Sequence, residues 1–375
     1  MKPLLPVIGL MSGTSVDAVD AALMMTNGET FTRTGITASL PWPDELRARI
    51  FDIVDHPSRL DDSDLIQAIE IEIADHHGLA VAAIYDQMNT SAALIGFHGQ
   101  TVYHKPEDRY SVQLGSGTRL AEQTGCPVIY QFRQNDLHHG GQGAPIAPVF
   151  HAAILQEAQI KPPAAIINIG GIANITATAN DRLISMDTGP GNAMMDRMMQ
   201  RHQNQRFDDN GLIAASGVSD DAYIEAVLSH DWFHQPPPKS LDRLTTEQML
   251  ISGKLGTWLN AMPLAHAMAS LAEITARSIH IACQLLPEMP EAVILAGGGA
   301  RNSHLVSRIR HHMNSATDHA IAVNMMDEHH MDGDFIEAEL MAYLAARHHN
   351  NLAITFPDTT GIDQPRGGGV RCNPI

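Results

Sequence analysis

The sequence predicts an α/β protein built as two related lobes. Three observations predict it. The chain has 375 residues, beyond the size at which one hydrophobic core keeps growing. Short β-rich apolar runs alternate with amphipathic stretches, the pattern of largely parallel sheets flanked by helices. A hairpin with a Gly-rich tip opens each half of the chain.

The first apolar run, Val7 to Met11, follows Pro3 and Pro6 and enters the turn Ser12-Gly13-Thr14-Ser15 without a small-residue cleavage site, so it reads as a strand and not as a signal peptide. A second run, Ala21 to Met25, completes the hairpin. Strands are expected next at Ala92 to Phe97 and Pro127 to Phe132. The second half repeats the opening: Ala165 to Ile169, the turn Gly170-Gly171, then Ile172 to Ile175. Two unrelated hairpins would read the same way. Further strands are expected at Arg182 to Met186, Ala292 to Ala296 and Ala320 to Asn324, with helical patterns at Ala193 to Gln200 and Leu305 to Met313. From Leu264 to Leu286, the residues Leu264, Met268, Leu271, Ile274, Ile281 and Leu285 recur at helical spacing. Pro236-Pro237-Pro238 marks a loop, and the tail from Asn350 to Ile375 is rich in Gly and Pro. The expected division is a first lobe over 1–160, a second over 161–345, and a tail, 346–375, packing back on the first.

Composition narrows the partners. Hydrophobic residues make up 44% and charged ones 18%, which excludes global disorder. The 24 Lys+Arg against 42 Asp+Glu give a net charge of −18, so neither nucleic acid nor an anionic membrane surface is expected as a partner. Lysine is scarce. No apolar run reaches the roughly 18 residues of a membrane span. Cys126, Cys283 and Cys372 form no CxxC pair, which points to a reducing cytoplasm.

Several segments could carry chemistry. In Gly9-Leu10-Met11-Ser12-Gly13-Thr14-Ser15-Val16-Asp17-Ala18-Val19-Asp20, turn N–H groups and hydroxyls suit phosphate oxygens, and a carboxylate can hold Mg2+ through water. An ordinary Ser/Thr/Asp turn has the same composition. Asn168 to Asn174, around Gly170-Gly171, would be a second phosphate tip. Gly297-Gly298-Gly299 lets backbone approach a base or ribose, but equally suits a tight strand-to-helix connection; Asn302 stands where a dinucleotide fingerprint needs Gly or Ala. Asp187, in Met186-Asp187-Thr188-Gly189-Pro190-Gly191-Asn192, follows a strand, where an α/β enzyme places a general base or where a carboxylate satisfies turn N–H groups. The Gly-spaced loops Gly96 to Thr101 and Gly140 to Pro145 suit hydroxyl-rich ligands. A P-loop is excluded, since Lys254 is followed by Leu255 and Gln248 occupies the place of the earlier Gly. Asp327 to Asp334 is the one segment with the makings of a transition-metal cluster, and a solvated loop reads alike.

Together, GLMSGTSVDAVD, GFHGQTVYH, GGQGAPIAPVFH, NIGGIANIT, DTGPGN and GGGARN resemble, in this order, the anhydro-N-acetylmuramic acid kinase family. The resemblance implies the acetate and sugar kinase, Hsp70 and actin superfold, two α/β lobes with ATP in the cleft between them. It implies ATP-dependent opening and O6 phosphorylation of 1,6-anhydro-N-acetylmuramic acid in cytoplasmic peptidoglycan recycling, by a homodimer. Asp187 matches the catalytic aspartate that would activate water. Gly13, Thr14, Ser15, Val16, Asp17, Ala18, Val19 and Asp20, with Gly170, Gly171 and Asn174, would carry the ATP phosphates, and Asp17 and Asp20 would stand near Mg2+. Gly297, Gly298, Gly299 and Asn302 would hold the adenosine. Thr101, Arg133, Gln142 and Glu337 fall on the sugar side, with Arg133 the partner for the lactyl carboxylate. Three positions depart from the family pattern. Ala18 stands where Gly is usual, and would strain the phosphate turn if φ there were positive; Ser116 and Gln131 stand where Asp is common. A catalytically silent relative, or a kinase for another small sugar, would share the superfold. The six segments contain no lysine, and Arg301 is their only arginine, so phosphate is expected to be held largely by N–H groups, hydroxyls and Mg2+.

Overall fold

The computed structural model describes residues 2–315, 320–329 and 333–375. The chain forms two compact units, Met1–Ala153 together with Asp334–Ile375, and Ile154–Gly333. The division thus stands at Gly333 rather than at 345, and Glu337 belongs to the first unit.

In the first unit, β1 (Leu5–Ser12), β2 (Ala18–Thr26) and β3 (Phe31–Pro41) form an antiparallel meander. On the other side of β1 lie β4 (Leu94–Lys105) and then β6 (Val128–Tyr130), both parallel to it, with β5 (Tyr110–Leu114) paired to β4. The C-terminal strand Val370–Cys372 closes that edge against β6.

The second unit repeats the scheme. The meander is β7 (Ala164–Ile169), β8 (Ile172–Ala179) and β9 (Arg182–Pro190); β10 (Ala292–Ala296) and β11 (Ala322–Met325) follow on the other side of β7, both parallel. Apart from β5 and the C-terminal strand, the two sheets share one strand order, so the chain is a duplicated α/β protein.

Burial explains the elements. The helix Leu264–Gln284 is apolar on most of its circumference and lies within the core of the second unit, against β9 and β8, whose Met186 and Ile175 belong to the same core. In the first unit the helix Ile336–His349 lies on β1 and β4, and two glycines make room for it. Gly9 and Gly96 are direct neighbours in the β1/β4 register. A Cβ at Gly9 would stand 1.8 Å from the Ala338 carbonyl oxygen, and one at Gly96 2.0 Å from that of Met341. These two motif glycines therefore serve packing, and they bring the first turn of that helix, with Glu337, to the sheet.

Candidate active site

The candidate residues divide between the units. In the first, the turn joining β1 to β2 spans Gly13 to Asp17, closed by Val16 N–H donating to the Gly13 carbonyl at 3.1 Å. Its base is fixed by a relay: Trp42 Nε1 donates to Ser12 Oγ (2.9 Å), Ser12 Oγ to Gln100 Oε1 (2.7 Å), and Gln100 Nε2 to the Gly13 carbonyl (3.2 Å). Thr14 and Ser15 are exposed, so their hydroxyls are available to a ligand.

Three expectations for this turn change. Ala18, Val19 and Asp20 lie in β2 and not in the turn; Val19 is a core residue. Ala18 has no positive φ, so its methyl strains nothing. The left-handed residue is Val16, at φ 50°, whose side chain is fully buried in the core of the first unit. A β-branched residue there is unusual, and burial of its side chain offsets the strain. Lastly, a cation does stand at the turn. Arg47 Nε donates to the Val16 carbonyl at 2.8 Å, and its guanidinium also reaches the Ser15 carbonyl and, at 3.3 Å, the Asp17 carboxylate. Arg47 lies outside all six motif segments, in the helix Asp44–Asp55, and nothing in the sequence marked it.

The two metal candidates are separated in kind. Asp17 is held by Arg47. Asp20 accepts from Ser39 Oγ at 2.6 Å, and its carboxyl is raised by burial, with the Asp334 charge adding to the rise. Asp20 in turn raises Glu337, whose carboxyl lies above its ordinary range through desolvation first, while the Arg133 charge opposes. Among the described residues no three His, Cys, Asp or Glu side chains gather to ligate an ion directly. Part of Asp327 to Asp334 falls outside the described residues.

Arg133 is aimed by its neighbours. Its Nη1 donates to the Gly143 carbonyl (2.9 Å) and Nη2 to His98 Nε2 (3.0 Å). His98 can accept because Nδ1 faces the Gly99 carbonyl at 3.0 Å, which places the ring proton there; burial first, and the Arg133 charge second, push its pKa down to about 3. Asp136 holds the Gly-rich loop by accepting from Gly143 N–H and Thr360 Oγ1, both at 2.7 Å. Within that loop Gln142 is tied by its backbone to Thr360, while its amide side chain has no partner among the described residues. Thr101, beside Gln113 in the β4/β5 register, is half-buried. The two departures are structural. Ser116 caps the helix Gly117–Thr124, a role Asp fills equally well. Gln131 sits at φ 57°, a conformation Asp tolerates better.

In the second unit, Asp187 lies inside β9 and not after it. The β8/β9 register shifts between Ala173 and Asn174, so that Thr188 is an extra residue beside Asp187, a bulge of the kind that re-aims a neighbouring side chain. Asn174 pairs with Asp187 on one side and Asn168 on the other. The segment after the Pro run crosses this point. Asp187 N–H donates to the Lys239 carbonyl at 2.9 Å, and Leu241 N–H to Asp187 Oδ2 at 2.6 Å. Burial pushes the Asp187 carboxyl up to about 6, against the Leu241 hydrogen bond and the Lys239 charge. Lys239 is 7% exposed; its ammonium donates to the Trp232 and Phe233 carbonyls and lies 4.4 Å from the Trp232 ring centroid. Sequence reading missed Lys239. Its only signal was being one of few lysines.

The Gly170-Gly171 tip is backed by the loop that follows β9: Gly191 N–H donates to the Gly171 carbonyl and Asn192 N–H to that of Gly170, each at 2.9 Å. A Cβ at Gly191 would stand 2.1 Å from the Gly170 oxygen, so only glycine fits. Gly297, at φ 81°, continues from β10 and its Cβ would meet Asn168 Oδ1 at 2.4 Å. The glycine corner and the tip are therefore adjacent. Beside them opens a cavity of about 400 Å³ lined by Gly298, Gly299, Asn302 and residues of the helix Ala193–Gln203. Asn302 also caps the following helix through Leu305 N–H.

A family model described as anhydro-N-acetylmuramic acid kinase matches residues 6–372. Relatives carrying that name include proteins of Acidiphilium cryptum, 38% identical over 98% of both chains, and of Bradyrhizobium diazoefficiens, 39% identical over 99% of this chain and all of the other. Another, of Brucella canis, is 37% identical over the whole of both. Among solved structures, a ROK family glucokinase from Streptomyces griseus in complex with glucose and AMPPNP matches at a TM-score of 0.43 and 14% identity, covering 91% of this chain and 99% of that one.

Proposed function

We propose, from the premise that this chain belongs to the anhydro-N-acetylmuramic acid kinase family, that it phosphorylates O6 of 1,6-anhydro-N-acetylmuramic acid with ATP while water opens the anhydro bridge. The product is N-acetylmuramic acid 6-phosphate. The observation that supports the chemistry best is Asp187: a half-buried carboxylate on a bulge, raised to about 6, beside a Gly-rich tip suited to phosphate. A base poised near the working pH is half-prepared to take a proton. Water oxygen bonds to C1 as the C1–O6 bond breaks; the water proton goes to Asp187, and the O6 electron pair attacks the γ-phosphorus, releasing ADP.

The other residues bind and orient. The N–H groups and hydroxyls of Gly13 to Ser15, with Gly170 and Gly171, suit phosphate oxygens, and Arg47 fixes the first turn. Arg133 keeps guanidinium N–H groups beyond those given to His98 and Gly143, enough for a bidentate grip on the lactyl carboxylate. The resemblance supports Gln142, Thr101 and Glu337 on the sugar side, where their polar groups suit hydroxyls. Mg2+ fits the hard oxygen donors of the first unit, and when bound it neutralises phosphate charge. Asp20, whose carboxyl lies near the like charges of Asp334 and Glu337, would hold it through its water shell, with Asp17 at the end of the turn that precedes β2. The family resemblance also supports a place in cytoplasmic peptidoglycan recycling and a homodimer; among the described residues no helix is long and apolar enough to cross a membrane.

Incubation with Mg-ATP and 1,6-anhydro-N-acetylmuramic acid should yield the 6-phosphate and ADP in equal amounts, read by mass spectrometry. Turnover of another sugar with none of this one would overturn the substrate.

A further inference from the structure

The cavity beside Gly298 holds a carboxylate that the chemistry above does not use. Asp196 is half-buried and lines the cavity, and its carboxylate has no hydrogen-bond or ion-pair partner among the described residues. Two of the side chains that line the cavity with it are committed, and Arg301, which also lines it, is not free. Asp208 accepts from the Ile213 and Ala214 N–H groups, each at 2.9 Å, and Asn302 Oδ1 from Leu305 N–H. Burial alone raises the Asp196 carboxyl, to about 6. Such a group costs stability unless a ligand supplies donors.

Its place says which donors. Asn192 donates its N–H to the Gly170 carbonyl at the phosphate tip, and Asp196 N–H donates to the Asn192 carbonyl, both at 2.9 Å. Asp196 therefore stands one helical turn, roughly 5 Å, beyond Asn192, which itself bonds to the tip. On a nucleoside triphosphate the moiety one step from the phosphates is the ribose, and its vicinal hydroxyls match the two oxygens of one carboxylate. A phosphate would be repelled there.

We propose that Asp196 recognises the ribose, accepting hydrogen bonds from the 2′- and 3′-hydroxyls and making the enzyme prefer ribonucleotides to deoxyribonucleotides. The proposal rests on the reading that this cavity takes the nucleoside part of ATP.

The test compares ATP, 2′-deoxy-ATP, 3′-deoxy-ATP and ITP in the wild type, Asp196→Ala and Asp196→Asn, by kcat/KM and by calorimetric Kd. The wild type should favour ATP over each deoxy analogue about tenfold or more, the worth of a hydrogen bond to a charged group. In Asp196→Ala the ATP value should fall toward that of 2′-deoxy-ATP. Asp196→Asn, equal in size, should show a weakened preference and keeps the comparison readable if the Ala variant does not fold. Equal use of ATP and 2′-deoxy-ATP by the wild type, or a preference that survives in Asp196→Ala, would overturn the assignment while leaving ATP in the cavity. Loss of discrimination against ITP instead would overturn it in favour of contact with the base. No binding of any of the four by the wild type would overturn the nucleotide reading itself.

Discussion

At the scale of single residues, the proposed chemistry turns on the charge beside Asp187. Burial raises its carboxyl to about 6, and Lys239 opposes that rise. Lys239 is itself lowered to about 8 by burial, with the Asp187 charge pulling the other way. Since the base must be ionised, kcat should fall as pH drops through about 6. Removing the positive charge disfavours the carboxylate, so Lys239→Met should move this acid limb to higher pH, by roughly one unit. Lys239→Arg should leave it near its original place. A limb unmoved in Lys239→Met would show that Lys239 only packs the segment. The sequence marked Asp187 through its motif but not Lys239, because the pairing is made by register and by a crossing segment more than fifty residues away. Arg47 escaped for the same reason. Val16 and Ala18 show the reverse case: the turn was visible, yet which of its residues takes positive φ depends on which side chain the core receives.

Elements were more legible than their boundaries. The strands β1, β7 and β10 and the helix over Leu264–Gln284 stand near where apolar periodicity puts them. The edge strand β3 has no continuous apolar run, since most of its residues are exposed or half-buried, and β5 is a short hairpin return. Neither offers a period to read. The glycines of two motifs were visible as motif glycines, but their purpose lay in a helix roughly 330 residues beyond Gly9 and 245 beyond Gly96. Gly9→Ala and Gly96→Ala should each push the helix Ile336–His349 off the sheet. Melting curves should show losses of at least the 1–3 kcal/mol typical of overpacking, because backbone and not a flexible side chain is in the way. Unchanged melting temperatures would contradict this packing. Displacing that helix also displaces Glu337, so residual activity should fall with stability.

For the whole molecule, the duplicated topology was foreseeable from the repeated hairpin, and the acidic balance excluded partners without saying what is bound. Charge has another consequence. His77 and His98 are buried and pushed down to about 3, and His151 to about 4, each chiefly by burial. A histidine whose folded pKa lies below its unfolded value contributes stability above about 6.5 that is lost as pH falls from there toward the folded pKa. Three such side chains should cost about 4 kcal/mol per pH unit well below 6.5. Urea unfolding between pH 7.5 and 5 should show this fall, and a flat profile would contradict the buried neutral histidines. The central claim, that Asp187 takes the proton from the water that opens the sugar, is tested most directly by Asp187→Asn. Turnover of 1,6-anhydro-N-acetylmuramic acid should fall by about 10²–10⁴ while calorimetric ATP binding persists. A near-normal rate in that variant would contradict it.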